Sequence, residues 1–155
     1  MRHVFWLIPN ALAGRPGPDR ESWNLEELKV SGIGAILSVN EGLLCHPEDF
    51  ASAGMPYRCL PLSLNAPPQP GDLEHCRHVL PKALDFVEEV RRTGKATLVH
   101  CTRGKDRTGL FMAYHLVHSR RMPTNEAIAV VKRARPIALS ALGWQEFAQQ
   151  VLSNN

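Results

Sequence analysis

The stretch that decides the fold is "LVHCTRGKDRTGL", residues 98–110. An apolar run ends at His100 and Cys101, a short loop follows, and Arg107-Thr108-Gly109 opens a segment with helical spacing. That order reads as strand, tight loop and helix. Backbone N–H groups from Thr102 to Arg107 can converge on one point, and the helix N-terminus adds partial positive charge. Gly104 permits a backbone conformation that other residues resist, and Gly109 allows the helix to pack closely. The planar fork of Arg107 suits two oxygens of a tetrahedral anion. Arg103, Lys105 and Arg107 stand against Asp106 alone. A free thiol has a pKa near ~8.5, and surroundings of this kind lower it to ~3.5–7.5. The loop is therefore expected to be an anion cradle that holds Cys101 as a thiolate nucleophile.

Outward from the loop, "KATLVH" (95–100) is its entering strand and "TGLFMAYHLVHSRR" (108–121) its helix. That helix buries Leu110, Ala113, Tyr114 and Val117, and Arg120 and Arg121 suit its C-terminus. From Asp72 to Arg92, the residues Leu73, Cys76, Leu80, Leu84, Val87 and Val90 form one helical stripe, with a kink expected at Pro81. "HVFWLIP" (3–9), "ALAG" (11–14), "GAILSVN" (34–40) and "YRCLPL" (57–62) read as further strands. "ESWNLEELKVSG" (21–32), closed by Gly32, and "HPEDFASAG" (46–54), with Pro47 in its first turn, read as helices. "SLNAPPQPG" (63–71) is the longest Pro-rich loop. Two last helices follow in "PTNEAIAVVKRARP" (123–136) and "SALGWQEFAQQVL" (140–152), with Thr124 and Ser140 as N-caps. The expected fold class is α/β: a central, mainly parallel sheet of about four or five strands flanked by helices on both sides. With 155 residues and no internal repeat, the chain reads as one domain over residues 1–155.

Composition excludes several classes. Net charge is 18 − 15 = +3, too small to argue for a nucleic-acid partner, although Lys132, Arg133 and Arg135 form a second local cluster that favours anions. Cys45, Cys59, Cys76 and Cys101 form no CxxC pair and read as reduced thiols of a cytoplasmic protein. The first three are expected to be core residues. "VFWLI" (4–8) is too short for a secretory signal, and no segment is long enough to insert in a membrane. "EHCRH" (74–78) carries metal-ligand residue types without further spaced partners, and His115 and His118 read as packing or surface residues, so no metal and no cofactor are expected.

"HCTRGKDRTG" resembles the His-Cys-x5-Arg-Ser/Thr-Gly signature of cysteine-dependent protein tyrosine phosphatases. The chain size, the late motif, "WLIPNALAG", "ILSVNEG" and "RARP" are similar to the small atypical dual-specificity branch. The resemblance implies a phosphate-binding loop of Thr102, Arg103, Gly104, Lys105, Asp106 and Arg107. It implies attack on phosphorus by Cys101, a cysteinyl-phosphate hydrolysed by water, and equatorial oxygens held by Arg107 and the loop amides. By the same match His100 helps fix the loop and the Thr108 hydroxyl bonds the sulfur. The partner implied is a phosphorylated substrate, and a monomer is expected.

One family landmark is missing. Aligning "LPLSLNAPPQPGD" with related small phosphatases puts Leu64 or Asn65 where a general-acid aspartate belongs. Asp72 lies nearby but suits a helix start. Asp106 resembles the aspartate to which acid duties are assigned in a subset of bacterial tyrosine and lipid phosphatases; it equally suits bracing the loop. The substrate class stays open too. A phenolate leaves with a pKa near ~10 and an alkoxide nearer ~15.7, so a weak acid favours phosphotyrosine in proteins. Lys105 and Arg103 resemble the extra cations of inositol-lipid phosphatases. A pseudophosphatase that only binds phosphate is a third reading.

Overall fold

The protein is described by a computed structural model covering residues 2–153. Five strands are β1 (Phe5–Ile8), β2 (Leu12–Pro16), β3 (Ile33–Ser38), β4 (Tyr57–Cys59) and β5 (Ala96–Cys101). They form one sheet in the order β1-β2-β5-β3-β4, antiparallel only at the β1–β2 hairpin. The helices are α1 (Leu25–Val30), α2 (Pro47–Ser52), α3 (Asp72–Arg92), α4 (Arg107–Ser119), α5 (Thr124–Ala134) and α6 (Trp144–Ser153). This is the expected α/β architecture.

Alternation along the strands divides the core in two. Leu12, Ala35, Leu37, Val99 and Cys101 face the layer of α3 to α6. Ala13, Ile33, Ile36 and Leu98 face the other layer, where Leu28 of α1 and Phe50 of α2 pack. The central position of β5 explains why it reads as an unbroken apolar run: all six of its residues are buried. Its C-terminal end, flanked by the ends of β2 and β3, is where the decisive loop begins.

Several local expectations are corrected. The helix anticipated from Glu21 starts at Leu25, because Asn24 accepts the Glu27 N–H as its cap while the Trp23 indole donates to Pro16 O at 3.1 Å. Thr124 is the first residue of α5, and Pro123 precedes it without a side-chain cap. Ser140 lies ahead of α6, where its hydroxyl accepts from Lys105 Nζ at 3.0 Å. The strand expected over 57–62 shortens to Tyr57–Cys59. Of the three cysteines assigned to the core, only Cys76 is buried; Cys45 is half-buried and Cys59 exposed. As expected of one helix rather than two, α3 contains Pro81 in its interior.

Candidate active site

The loop 102–106 leaves β5 at the sheet's centre and enters α4 at Arg107. Its carbonyls are tied outward. Thr102 O accepts from Gly17 N at 3.0 Å, Lys105 O from Leu139 N at 3.2 Å, and Arg103 O from Arg135 Nη2 at 2.6 Å. Among the described residues, the N–H groups of residues 102–106 donate to no protein acceptor. Anchored carbonyls with free amides are the arrangement that receives an anion at a helix N-terminus. Gly104 makes the path possible. Its φ is +64°, and a Cβ there would lie 2.8 Å from the carbonyl carbon and oxygen of Arg15. Gly109 lets α4 approach residues 138–139: a Cβ would meet Leu139 at 3.3 Å.

Cys101, Thr102, Arg103, Lys105, Asp106, Arg107 and Ala141 line one cavity of about 300 Å³. Cys101 is 3% exposed, and its Sγ accepts from the Thr108 hydroxyl at 3.2 Å. Arg107 Nη1 is buried without a hydrogen-bond partner among the described residues, 3.7 Å from Glu41 Oε1. Lys105 Nζ donates to Asp106 Oδ2 at 2.8 Å, and Asp106 Oδ1 accepts from Ala141 N at 3.2 Å. The Arg135 guanidinium sits 5.5 Å over the Phe5 ring; burial lowers its pKa, and the nearby Cys101 sulfur opposes that.

His100 points to the opposite face from Cys101, its ring centroid 4.8 Å from that of Trp23. Its Nδ1 lies 3.2 Å from Cys101 O, so that nitrogen carries the proton. Nε2, 2.5 Å from Ser38 Oγ, then accepts from the hydroxyl, and Ser38 is 2.8 Å from the Tyr57 phenol. Burial pushes the His100 imidazole down to about 4 and the Tyr57 phenol up. A neutral relay from β4 through β3 thus ends on the Cys101 carbonyl.

Sequence reasoning missed Ser38, Tyr57, Glu41, Arg15 and Asp19. Buried Arg15 donates to the carbonyls of Arg2, Pro16, Glu21 and Ser22, fixing the segment under the loop. Asp19 Oδ2 accepts from Thr102 Oγ1 at 3.3 Å. The signal for Ser38 was available: it ends a strand beside β5, on the edge where parallel sheets place their sites. The residues weighed for the general-acid position differ in their surroundings. Leu64 is 63% exposed, and Asn65 O accepts from the Trp144 indole at 2.9 Å. Burial alone would raise the Asp72 carboxyl, but the Gln69 N–H, the Asn65 amide and Ser63 hold it below the usual range. The 74–78 segment disperses: Cys76 enters the core, His75 Nε2 meets Pro61 O, and His78 meets Lys82. His115 is buried beside Glu88, and His118 packs on Tyr114.

The family model for the dual specificity phosphatase catalytic domain matches residues 21–151. The chain belongs to that family, within the cysteine-dependent tyrosine phosphatase superfamily. It is 29% identical over 142 residues to the dual specificity protein phosphatase Mpk3 of Drosophila melanogaster, a match covering 88% of this chain and 31% of that protein. The chain thus spans about a third of the length of these curated relatives. In fold it is similar to Tk-PTP in its active form, with a TM-score of 0.78, 22% identity and 99% of each chain covered. It is also similar to PTPMT1 in complex with PI(5)P, with a TM-score of 0.71, 14% identity and 97% of each covered. No helix among the described residues is long and apolar enough to cross a membrane.

Proposed function

We propose that this chain hydrolyses phosphate monoesters, phosphotyrosine in proteins foremost, through a cysteinyl-phosphate. The observation that carries the proposal is the loop itself. Cys101 shares one cavity with Arg107, and the amides of residues 102–106 have no protein acceptor. In the first step the Cys101 sulfur bonds to phosphorus as the ester oxygen leaves. Arg107 and the loop amides hold the three equatorial oxygens. Water then attacks phosphorus, the sulfur–phosphorus bond breaks, and the thiolate returns with free phosphate. Thr108 supports the sulfur, and His100 supports the backbone that carries it.

Asp106 is proposed as the group that gives the leaving oxygen its proton and then takes one from water. It lines the cavity with Cys101, whereas Asp72 is held as a carboxylate by Gln69 and Asn65. Its bonds to Lys105 and Ala141 also suit a brace, so the proton donor is weaker than a dedicated one. Weak acid help favours a phenolate leaving group and hence tyrosine. Arg103 and Lys105 in the cavity lining favour a second reading, inositol phosphates or phosphoinositides, in keeping with the fold shared with PTPMT1. The test is Cys101→Ser: turnover of p-nitrophenyl phosphate is lost while phosphate still binds. Turnover that survives overturns the assignment. Rates on a phosphotyrosine peptide and on inositol phosphates, measured side by side, decide the substrate class.

A further inference from the structure

Resting on that reading, we infer that the protein selects phosphotyrosine segments carrying an apolar side chain two or three residues from the phosphotyrosine, seated in a groove beside the phosphate cavity. The groove, of about 570 Å³, lies between Pro67–Pro68 and α6 and is floored by Phe147. Its near wall is Gly143, and the cavity of Cys101 has Ala141 in its wall. Two residues of chain reach no more than ~7 Å, so the linings of the two depressions adjoin. The residue that joins them, Leu142, is 73% exposed, and the segment 141–143 is the ridge that separates the two.

Both walls are fixed. Ala141 N bonds Asp106 Oδ1, which ties the ridge to the phosphate loop. On the far side the Trp144 indole bonds Asn65 O, and a Cβ at Gly143 would lie 3.1 Å from Pro67 and Pro68. The ridge is therefore a rigid spacer between a cationic cavity and a groove whose apolar part is Pro67, Pro68 and Phe147, with Glu146, Gln149, Gln150 and Ser153 on its polar part. Leu64, on the same proline loop, adds a second exposed apolar side chain.

The occupant follows from continuity with the phosphate site. A phosphate held over Cys101 fixes where its peptide starts, and an extended peptide advances ~3.3 Å per residue. Two or three residues span ~7–10 Å, the scale of the Ala141–Gly143 segment, and this places the side chain at that remove over Leu142 and the prolines. Glu146 lines the groove. Its carboxylate disfavours an acidic side chain there.

The experiment measures binding of phosphotyrosine peptides to the Cys101→Ser variant, with leucine or glutamate placed in turn at each flanking position. Leucine at a position two or three residues away is expected to tighten binding about tenfold over glutamate, as burial of most of one leucine side chain gives. In Leu142→Ser on the same background, which removes the apolar contact without adding charge, that preference falls below about threefold. Equal affinities across the panel, or a preference untouched by Leu142→Ser, overturns the inference. So does Leu142-dependent sedimentation with phosphatidylserine vesicles that exceeds peptide binding. Because the readout is binding, it is independent of whether wild-type protein turns over p-nitrophenyl phosphate, which tests the catalytic proposal.

Discussion

Acidification should destabilise this fold through one buried imidazole, and the size of the effect can be worked out. His100 is held neutral at the end of the Tyr57–Ser38 relay, with its pKa near 4, whereas an unfolded histidine titrates near ~6.5. Above both values neither state binds the proton, and His100 contributes no pH dependence. As pH falls through ~6.5 the unfolded chain takes up the proton first, so stability falls with falling pH. The slope is about 1.36 kcal/mol per pH unit, and it continues until the folded imidazole also titrates. From 6.5 to about 4 the loss is about 3 kcal/mol, of which about 2 kcal/mol is gone by pH 5. The assay is urea unfolding at about pH 7 and about pH 5, for wild type and for His100→Gln. His115, also pushed down by burial beside Glu88, acts in the same window, so the relevant quantity is the difference between the two proteins' pH slopes. The glutamine variant should lose about 2 kcal/mol less than wild type between those two pH values. Equal losses would refute the argument that His100 is kept unprotonated by burial.

Other substitutions probe the loop. Gly104→Ala should lower the melting temperature by on the order of 5 °C and abolish phosphate binding, since φ is +64° and the Cβ strikes the Arg15 carbonyl; differential scanning calorimetry and phosphate titration check both. Leu64→Asp places a carboxyl at one of the two positions, Leu64 and Asn65, expected to align with the acid of related small phosphatases, and should raise kcat/KM on an alkyl phosphate by on the order of 100-fold with little change on p-nitrophenyl phosphate. No gain on the alkyl substrate would mean the proline loop does not reach the leaving group. Asp106→Asn should slow alkyl phosphate hydrolysis more than aryl; equal losses on both would assign Asp106 to bracing alone.

How much of this was legible beforehand depends on the range of the interactions. The β5–loop–α4 unit could be read directly, because its strand pattern, Gly104, Arg107 and helix start lie within thirteen residues of chain. The long stripe of α3 was equally plain. Caps failed where tertiary partners claimed the side chain: Ser140 serves Lys105 rather than α6. Cys59 failed because β4 is the sheet's edge strand, where burial is incomplete. Ser38 and Tyr57 come to His100 only through the β5-β3-β4 strand order, which no local pattern encodes.

The strap formed by residues 135–141 bears on how the protein is made. It supplies the Arg135 guanidinium, the Leu139 amide and the Ala141 amide that hold the outer side of the phosphate loop. Ala141 follows Asp106 by 35 residues, an interval of about two to seven seconds at ordinary rates of translation. During that interval a nascent chain already carries its thiol and its arginine, but the carbonyls of Arg103 and Lys105 lack the partners that turn them outward. The loop's outer shape is therefore completed by polypeptide made after it.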